Sequence, residues 1–288
     1  MIPRAHFDVP LPGGRVLALG GRTLVMGILN VTPDSFADGE RPATPEEAAE
    51  AALRMEAEGA DIVDVGGEST RPGADPVSAA EELSRVLPVL EALQGRIGVP
   101  LSIDTYKAEV ADAAIARGAA IVNDISGLRY DADLGRVAAA RGAAIVLMHN
   151  RGRSRDMYRE AVYSSLVDDV ARELADAIEA AVAGGIGRER VILDPGLGFA
   201  KLPAHNFTIL ARLGALASLG RPLLVGPSRK SFLRRAAGEL PARARDWATA
   251  AAVTAAVLNG AHIVRVHAVG PMVQVVRVAD ALRAGGDG

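Results

Sequence analysis

The stretch IVDVGGESTRPGA, residues 62–74, begins as a buried strand and ends in polar chemistry. Ile62, Val63 and Val65 are β-branched residues of the kind that pack on a pleated surface. The next seven positions bring a glycine pair, Glu68, Ser69, Thr70, Arg71 and Pro72. An apolar strand that opens directly onto such sequence is the pattern of a parallel strand whose C-terminal end feeds a functional loop. The pattern recurs along the chain. Short apolar runs at 24–29, 61–65, 101–104, 120–123, 144–148, 191–194, 223–226 and 263–267 predict strands. Between them, apolar residues three and four apart predict helices at 45–58, 79–93, 107–116, 134–141, 163–183, 204–213, 246–258 and 272–283. Thr44 before Pro45 reads as an N-cap followed by a proline in the first turn. Eight strand–helix units predict an α/β fold, a closed (β/α)8 TIM barrel forming one domain over 1–288. A doubly wound open sheet is the alternative, because eight strands do not by themselves require closure. Residues 1–23 lie outside the eight units. Their stretch VPLPGGRVLALGGRT, 9–23, has two Gly-Gly corners and predicts a short N-terminal hairpin capping the barrel bottom.

Composition narrows the function classes. Of 288 residues, 49% are hydrophobic, enough for a sizeable core. A formal charge of −3 argues against nucleic acid or an anionic membrane as the main partner. Cysteine is absent, which excludes disulfides and thiolate metal sites. No run approaches the length of a membrane span, and MIPRAHFDVP lacks the apolar stretch of a signal peptide, so a cytoplasmic location is expected. Only three lysines, Lys107, Lys201 and Lys230, stand against 29 arginines. With abundant alanine, this reads as genome composition rather than function.

A barrel interior is packed with aliphatic side chains, so polar residues at strand exits stand out. Here they stand at every exit: Asn30, Asp64, Asp104, Asn123 with Asp124, His149 with Asn150, Asp194, Arg229 with Lys230, and Arg265 with His267. Helix capping explains one such residue but not eight together. A shared ligand site does, and its residue types specify two kinds of recognition. Arg71 and Arg265 carry permanent charge and donor forks suited to phosphate oxygens, with Ser69, Thr70 and His267 as further donors. Asn30 offers a neutral oxygen suited to a hydrated Mg²⁺ riding on phosphate. Asp104, Asn123 and Asp194 are acceptors for ring N–H and amino groups, and Lys230 is a donor to a ring carbonyl and nitrogen. Phe199 and Met148 can pack on ring faces. The ligand this describes is a guanine-like or pterin-like heterocycle carrying a diphosphate.

Seven segments in order carry a family resemblance: MGILNVTPDSFADG (26–39), DVGGESTRPGA (64–74), LSIDT (101–105), IVNDISG (121–127), DPGLGFAK (194–201), SRKSF (228–232) and RVH (265–267). Together they resemble dihydropteroate synthase, which joins a pterin diphosphate to p-aminobenzoate with loss of pyrophosphate in folate synthesis. The resemblance implies that Asn30 binds Mg²⁺ and that Thr70, Arg71, Arg265 and His267 cradle the diphosphate. It also implies that Asp104, Asn123, Asp194 and Lys230 hold the pterin, lined by Met148 and Phe199, and that Phe36, Pro72 and Ser231 shape the p-aminobenzoate pocket. Asp104, Lys230, Arg265 and His267 are the expected catalytic residues, and a homodimer and sulfonamide competition for the amine pocket follow from the same resemblance. Binding is expected to be ordered, the loops after the first two barrel strands closing once diphosphate is present. Two other readings share the barrel: a pterin-binding methyltransferase domain, disfavoured by the coexistence of Arg71, Arg265, His267 and SRKS, and a silent pterin-binding paralogue. Departures from the family pattern are Ala268 after RVH, the strand-five exit MHNRG (148–152) and Arg234.

Other polar residues have plainer readings. Glu68 reads as a partner for nearby backbone N–H groups and Asp64 as part of a buried polar network. His149 is evenly balanced between site and structure. His6, His205 and His262 read as non-catalytic, Trp247 as packing or interface, and RGRSRDMYRE (151–160) as a solvated loop. Lys201 and Arg229 are placed either at the ligand or outside it.

Overall fold

The structure is a computed structural model that describes residues 4–32, 44–69, 73–153, 158–159 and 161–285. The chain opens with two short antiparallel strands, β1 (Phe7–Pro10) and β2 (Val16–Leu19), paired from Phe7↔Leu19 to Pro10↔Val16. Gly13 and Gly14 both take φ +74° in the turn between them, a conformation that glycine adopts without steric cost. Eight parallel strands follow: β3 (Leu24–Asn30), β4 (Ile62–Gly66), β5 (Leu101–Asp104), β6 (Ala119–Asp124), β7 (Ala144–Met148), β8 (Val191–Asp194), β9 (Leu224–Val225) and β10 (Ile263–Val266). They pair in the order β8-β7-β6-β5-β4-β3-β10-β9. A parallel bridge between Leu193 and Leu223 joins the two ends, so the sheet is a closed barrel rather than an open doubly wound sheet.

Helices cover the outside: α1 (Pro45–Ala57), α2 (Ala79–Leu93), α3 (Ala108–Ile115), α4 (Leu134–Arg141), α5 (Leu166–Ala183), α6 (Pro203–Ala211), the single turn α7 (Arg234–Ala237), α8 (Asp246–Leu258) and α9 (Val269–Arg283). The start of α1 is as its sequence reads. Thr44 accepts from Glu47 N at 3.2 Å, and Pro45 occupies the first turn. At α2, Ser78 does the same for Glu81 N.

The strand period of two sorts side chains into two cores. Val25, Val63, Val65, Ile103, Val122, Ile145, Leu147, Val191 and Val264 face the helices. Leu24, Met26, Ile62, Ile121, Val146, Ile192, Leu224 and Ile263 fill the lumen, together with Val9, Leu11, Leu17 and Leu19 of the hairpin. The hairpin therefore plugs the N-terminal end of the barrel, and its apolar face completes the bottom lumen layer. Continuing the lumen parity upward along each strand gives Asn30, Asp64, Asp104, Asn123, Met148, Asp194, Arg265 and His267. The lumen changes from aliphatic to polar over one layer, and the change lies at the C-terminal end.

Several bounds differ from the expected ones. The strand expected at 223–226 forms a continuous ladder only over Leu224–Val225: Leu223 bridges singly to Leu193 while its N–H donates to His262 Nδ1, and Pro227 beyond Gly226 supplies no ladder donor. Asp61 belongs to the turn before β4, where its carboxylate accepts from Val25 N at 2.9 Å and from Arg22. The helix expected from 163 begins at Leu166, since Tyr163 is drawn inward to donate to Ala200 O at 2.8 Å.

Candidate active site

At the polar layer, β10 supplies the organising cation. Arg265 donates through Nε to Asp64 Oδ2 and through Nη2 to Asp104 Oδ2, both at 2.6 Å. Asn123 Nδ2 donates to the same Asp64 oxygen at 2.9 Å, so its side-chain carbonyl remains for other donors. Asp64 is fully buried, and one guanidinium across two carboxylates fixes three strands in one plane. Burial pushes the Asp104 carboxyl up to about 7; Arg265 pulls it down, while Asp64, Glu82 and Asp124 push it further up. The Arg265 guanidinium is held above its ordinary value, its desolvation outweighed by Asp64 and Asp104. Asp104 Oδ1, Asp64 Oδ1 and Ser102 Oγ are buried without a partner among the described residues. Orphaned buried acceptors are costly to leave unpaired, and at Asp104 the orphan lies at the mouth of the lumen.

The opposite wall comes from β8 and the loop after β9. Asp194 Oδ1 accepts from Gly196 N at 2.7 Å, and burial raises its carboxyl above the ordinary value despite Lys230 nearby. Lys230 donates to Leu197 O, and its ammonium lies 4.7 Å from the centre of the Phe199 ring. Burial lowers it to about 8, against the pull of Asp194 and Asp104 and with the push of Arg265. That Lys230 feels Asp194, Asp104 and Arg265 together places the two walls around one cup. Arg229, just before it, takes φ +57° and is held there by a two-point pair with Asp246 and by Thr249 Oγ1. On the third side, a Cβ at Gly66 would sit 3.4 Å from Asp104 Cβ and 3.7 Å from Asn30 Oδ1, so Asn30 borders the same cup. His267 Nδ1 lies 2.9 Å from Ser228 Oγ, which also accepts from His267 N.

Of the residues expected from sequence, the fold thus gathers Asn30, Asp104, Asn123, Met148, Asp194, Phe199, Lys230, Arg265 and His267 at one end of the barrel. Ser231 stands at the rim, exposed, at the start of a short 3-10 turn. Phe36, Thr70, Arg71 and Pro72 lie outside the described residues. Glu68 accepts from Val77 N at 3.3 Å, Tyr106 Oη at 2.9 Å and Lys107 Nζ, tying together the two ends of the β4–α2 loop. Asp124 caps Ser126 N and Leu128 N. Asp64 does more than join a network: it is the hub between Arg265 and Asn123. Ser228 and Asn206 drew no attention in the sequence, yet Ser228 orients His267 and Asn206 Oδ1 accepts from Gly198 N at 2.6 Å. Lumen parity is the signal that picks out Asp64; Ser228 and Asn206 carry none. Arg151, the first residue of the 151–160 stretch, is not simply solvated, because it pairs with Glu173 and lies 4.1 Å over the Tyr163 ring; residues 154–157 and 160 lie outside the described residues. The lysines also gain meaning. Lys107 bridges Glu68 and Glu82, Lys201 is buried beneath the β8 loop and Lys230 faces the cup, so all three sit at the barrel's C-terminal end.

A closed barrel with buried carboxylates, a buried lysine and an arginine converging at its C-terminal mouth defines a class: barrel enzymes that hold a flat, nitrogen-rich heterocycle. The family model for pterin binding enzymes matches residues 26–267. A dihydropteroate synthase of Synechocystis is 46% identical over 96% of both chains, and one of Bacillus subtilis is 45% identical over 91% of this chain and 89% of its own. The Yersinia pestis dihydropteroate synthase in complex with a sulfonamide drug superposes with a TM-score of 0.91 at 42% identity, covering 97% of this chain and 100% of that one. The Xanthomonas albilineans enzyme in complex with 7,8-dihydropteroate gives 0.85 at 40% identity, covering 96% and 99%. The chain belongs to the dihydropteroate synthase family of pterin binding enzymes.

Proposed function

We propose that this protein condenses 6-hydroxymethyl-7,8-dihydropterin diphosphate with p-aminobenzoate, giving 7,8-dihydropteroate and pyrophosphate. The observation that carries the reading is the pairing of a buried acceptor wall (Asp104, Asn123, Asp194) with a half-buried donor, Lys230, in one cup. A pterin presents ring N–H and amino donors along one edge and a carbonyl and ring nitrogen beside them, and this cup answers both. Asp104 Oδ1 and the Asn123 carbonyl take the donors, and Asp194 takes the amino-pyrimidine edge. Lys230 donates to the carbonyl side, while Phe199 and Met148 bound the ring faces.

The reaction breaks the bond between the pterin methylene carbon and the diphosphate oxygen, and the electron pair leaves with the diphosphate. The amine nitrogen of p-aminobenzoate donates its lone pair to that carbon and releases a proton. Arg265 and His267, with Thr70 and Arg71, neutralise the charge that develops on the leaving group. Asp104 stabilises the positive charge left on the pterin methylene. Phe36, Pro72 and Ser231 shape the amine site in this reading.

Among the described residues no cluster of three histidines, aspartates or glutamates could hold a metal. One neutral oxygen at the rim nevertheless fits Mg²⁺, which keeps most of its waters and shares phosphate oxygens. Asn30 is that ligand in this reading, and bound Mg²⁺ would supply charge neutralisation for the departing diphosphate. No helix among the described residues is long and apolar enough to cross a membrane. We place the enzyme in the cytoplasm, where its charged small-molecule substrates occur, as a homodimer.

The test is pyrophosphate release and dihydropteroate formation by the purified protein with both substrates and Mg²⁺. Turnover should be lost with a chelator and restored by Mg²⁺. Tight binding of pterin diphosphate with no dihydropteroate formed would overturn the reading in favour of a silent pterin binder.

A further inference from the structure

Beneath the pterin wall, outside the groups assigned to either substrate, lies a buried chain of polar side chains. Lys201 is 1% exposed. Its Nζ lies 2.8 Å from His149 Nδ1, 3.1 Å from Phe199 O and 3.4 Å from His149 O. His149 Nε2 is 3.1 Å from Glu173 Oε2, and the two Glu173 oxygens are also held by Arg151. The hydrogens in this chain can be assigned. Although burial opposes it, the hydrogen bonds from His149 and Arg151 hold the Glu173 carboxyl well below its ordinary value, so it only accepts. His149 Nε2 therefore carries the ring proton. Burial and the nearby Lys201 charge lower the imidazole to about 4, so the ring is neutral and Nδ1 is a bare acceptor. The donor to Nδ1 is then Lys201; burial lowers its ammonium to about 7, against the pull of Asp194, and in the charged form its three hydrogens have three acceptors within reach.

Two of those acceptors are main-chain carbonyls in different active-site loops. His149 follows Met148 at the end of β7, and Phe199 lies in the β8–α6 loop. The loops already touch, since His149 N donates to Asp194 O at 2.8 Å. A Cβ at Gly196, where φ is +70°, would come within 1.9 Å of His149 O. Ala200, beside Lys201, takes φ +46°, and its carbonyl accepts from Tyr163. This non-glycine left-handed conformation is one that only surrounding contacts maintain. One donor of the Lys201 head group holds the carbonyl of Phe199, whose ring lies under Lys230, and the others hold His149.

We infer that Lys201 is a positioning residue for pterin recognition: through His149 and Phe199 it locks the β7 and β8 exit loops so that Met148, Phe199 and Lys230 are preset around the ring slot. The inference rests on the synthase reading and deepens it. Arginine does not replace this lysine. A planar fork cannot direct three hydrogens to His149 Nδ1, His149 O and Phe199 O inside a closed space. In a chain with 29 arginines, that gives a physical reason for lysine here.

The experiment compares the parent enzyme with Lys201→Met and Lys201→Arg by steady-state kinetics in both substrates, with thermal unfolding alongside. Both variants should raise KM for the pterin diphosphate by about tenfold or more, as expected for buried carbonyls left unpaired. KM for p-aminobenzoate should stay within about twofold. Should either variant fail to fold, His149→Leu removes one acceptor and leaves Lys201 in place, and it should show the same selective rise. A pterin KM unchanged in Lys201→Met, an equal rise in both KM values, or full function in Lys201→Arg would overturn the inference. A parent enzyme that makes no dihydropteroate would instead sink the synthase reading.

Discussion

Asp104 shows how much one carboxyl can depend on its surroundings. Its raised value, about 7 against an ordinary 3.8, comes from burial first; Arg265 relieves part of it, and Asp64, Glu82 and Asp124 add to the rise. The folded value exceeds the unfolded one, so this group's contribution to stability is complete below pH 3.8 and is lost as pH rises through about 7. Pterin binding runs the other way, because ring donors need the ionised acceptor. We expect the affinity for a non-reacting pterin to fall roughly tenfold from pH 7.5 to pH 6, measured by calorimetric titration. Above pH 8 it should fall again as Lys230, lowered to about 8, loses its proton. Asp104→Asn should flatten the acid limb; a parent affinity that is level across that range would contradict the assignment. Asp104 and Arg265 were visible in the sequence as polar residues at strand ends. Their partnership was not, since Arg265 is 161 residues from Asp104 and 201 from Asp64, and only closure of the barrel makes them neighbours. Lys201 was named in the sequence but its role stayed open for a related reason: its partners are two carbonyls and a ring nitrogen, which leave no mark in composition or spacing.

At the scale of elements, the β-branched runs located all eight barrel strands, because a buried parallel strand has to be apolar on both faces. Strand ends were harder. β9 is cut to two residues because Leu223 N donates to His262 Nδ1 and Pro227 supplies no ladder donor, and Tyr163 is pulled out of the helical pattern by a carbonyl in another loop. The Gly-Gly corners correctly marked a hairpin, and lumen parity explains its position, since the bottom layer would otherwise face water. Leu19 is 2% exposed within that plug. Leu19→Ala should cost about 2–5 kcal/mol by denaturant unfolding, the range for a large buried aliphatic truncated in a core that cannot fully collapse. It should leave both KM values unchanged, because the plug and the cup occupy opposite ends of the barrel. A variant with parental stability would mean that the hairpin only rests on the barrel.

For the molecule as a whole, the outer surface of α8 and α9 is too apolar to be left to water. α8 exposes Trp247 and Ala251, with Ala255 and Leu258 half-buried further along, and α9 exposes Val278 and Leu282, with Val275 half-buried against the core. Trp247 is 89% exposed, Val278 63% and Leu282 56%. Single exposed apolar residues are ordinary, but two packed helices that both carry such stripes form a continuous patch of the kind that marks an interface. The homodimer proposed above would complete it with a second copy of the chain. A twofold pairing would set the same patch against itself, with the exposed Trp247 ring in the first turn of α8 as an anchor. The patch lies on the helical wall, not at the barrel mouth, so pairing leaves the cup open to substrates. Sedimentation equilibrium at micromolar concentration should give twice the chain mass for the parent protein. Trp247→Glu combined with Val278→Arg should give a folded monomer with parental circular dichroism, since neither side chain supports the barrel core. A monomeric parent, or a double variant that still pairs, would move the interface elsewhere or remove it.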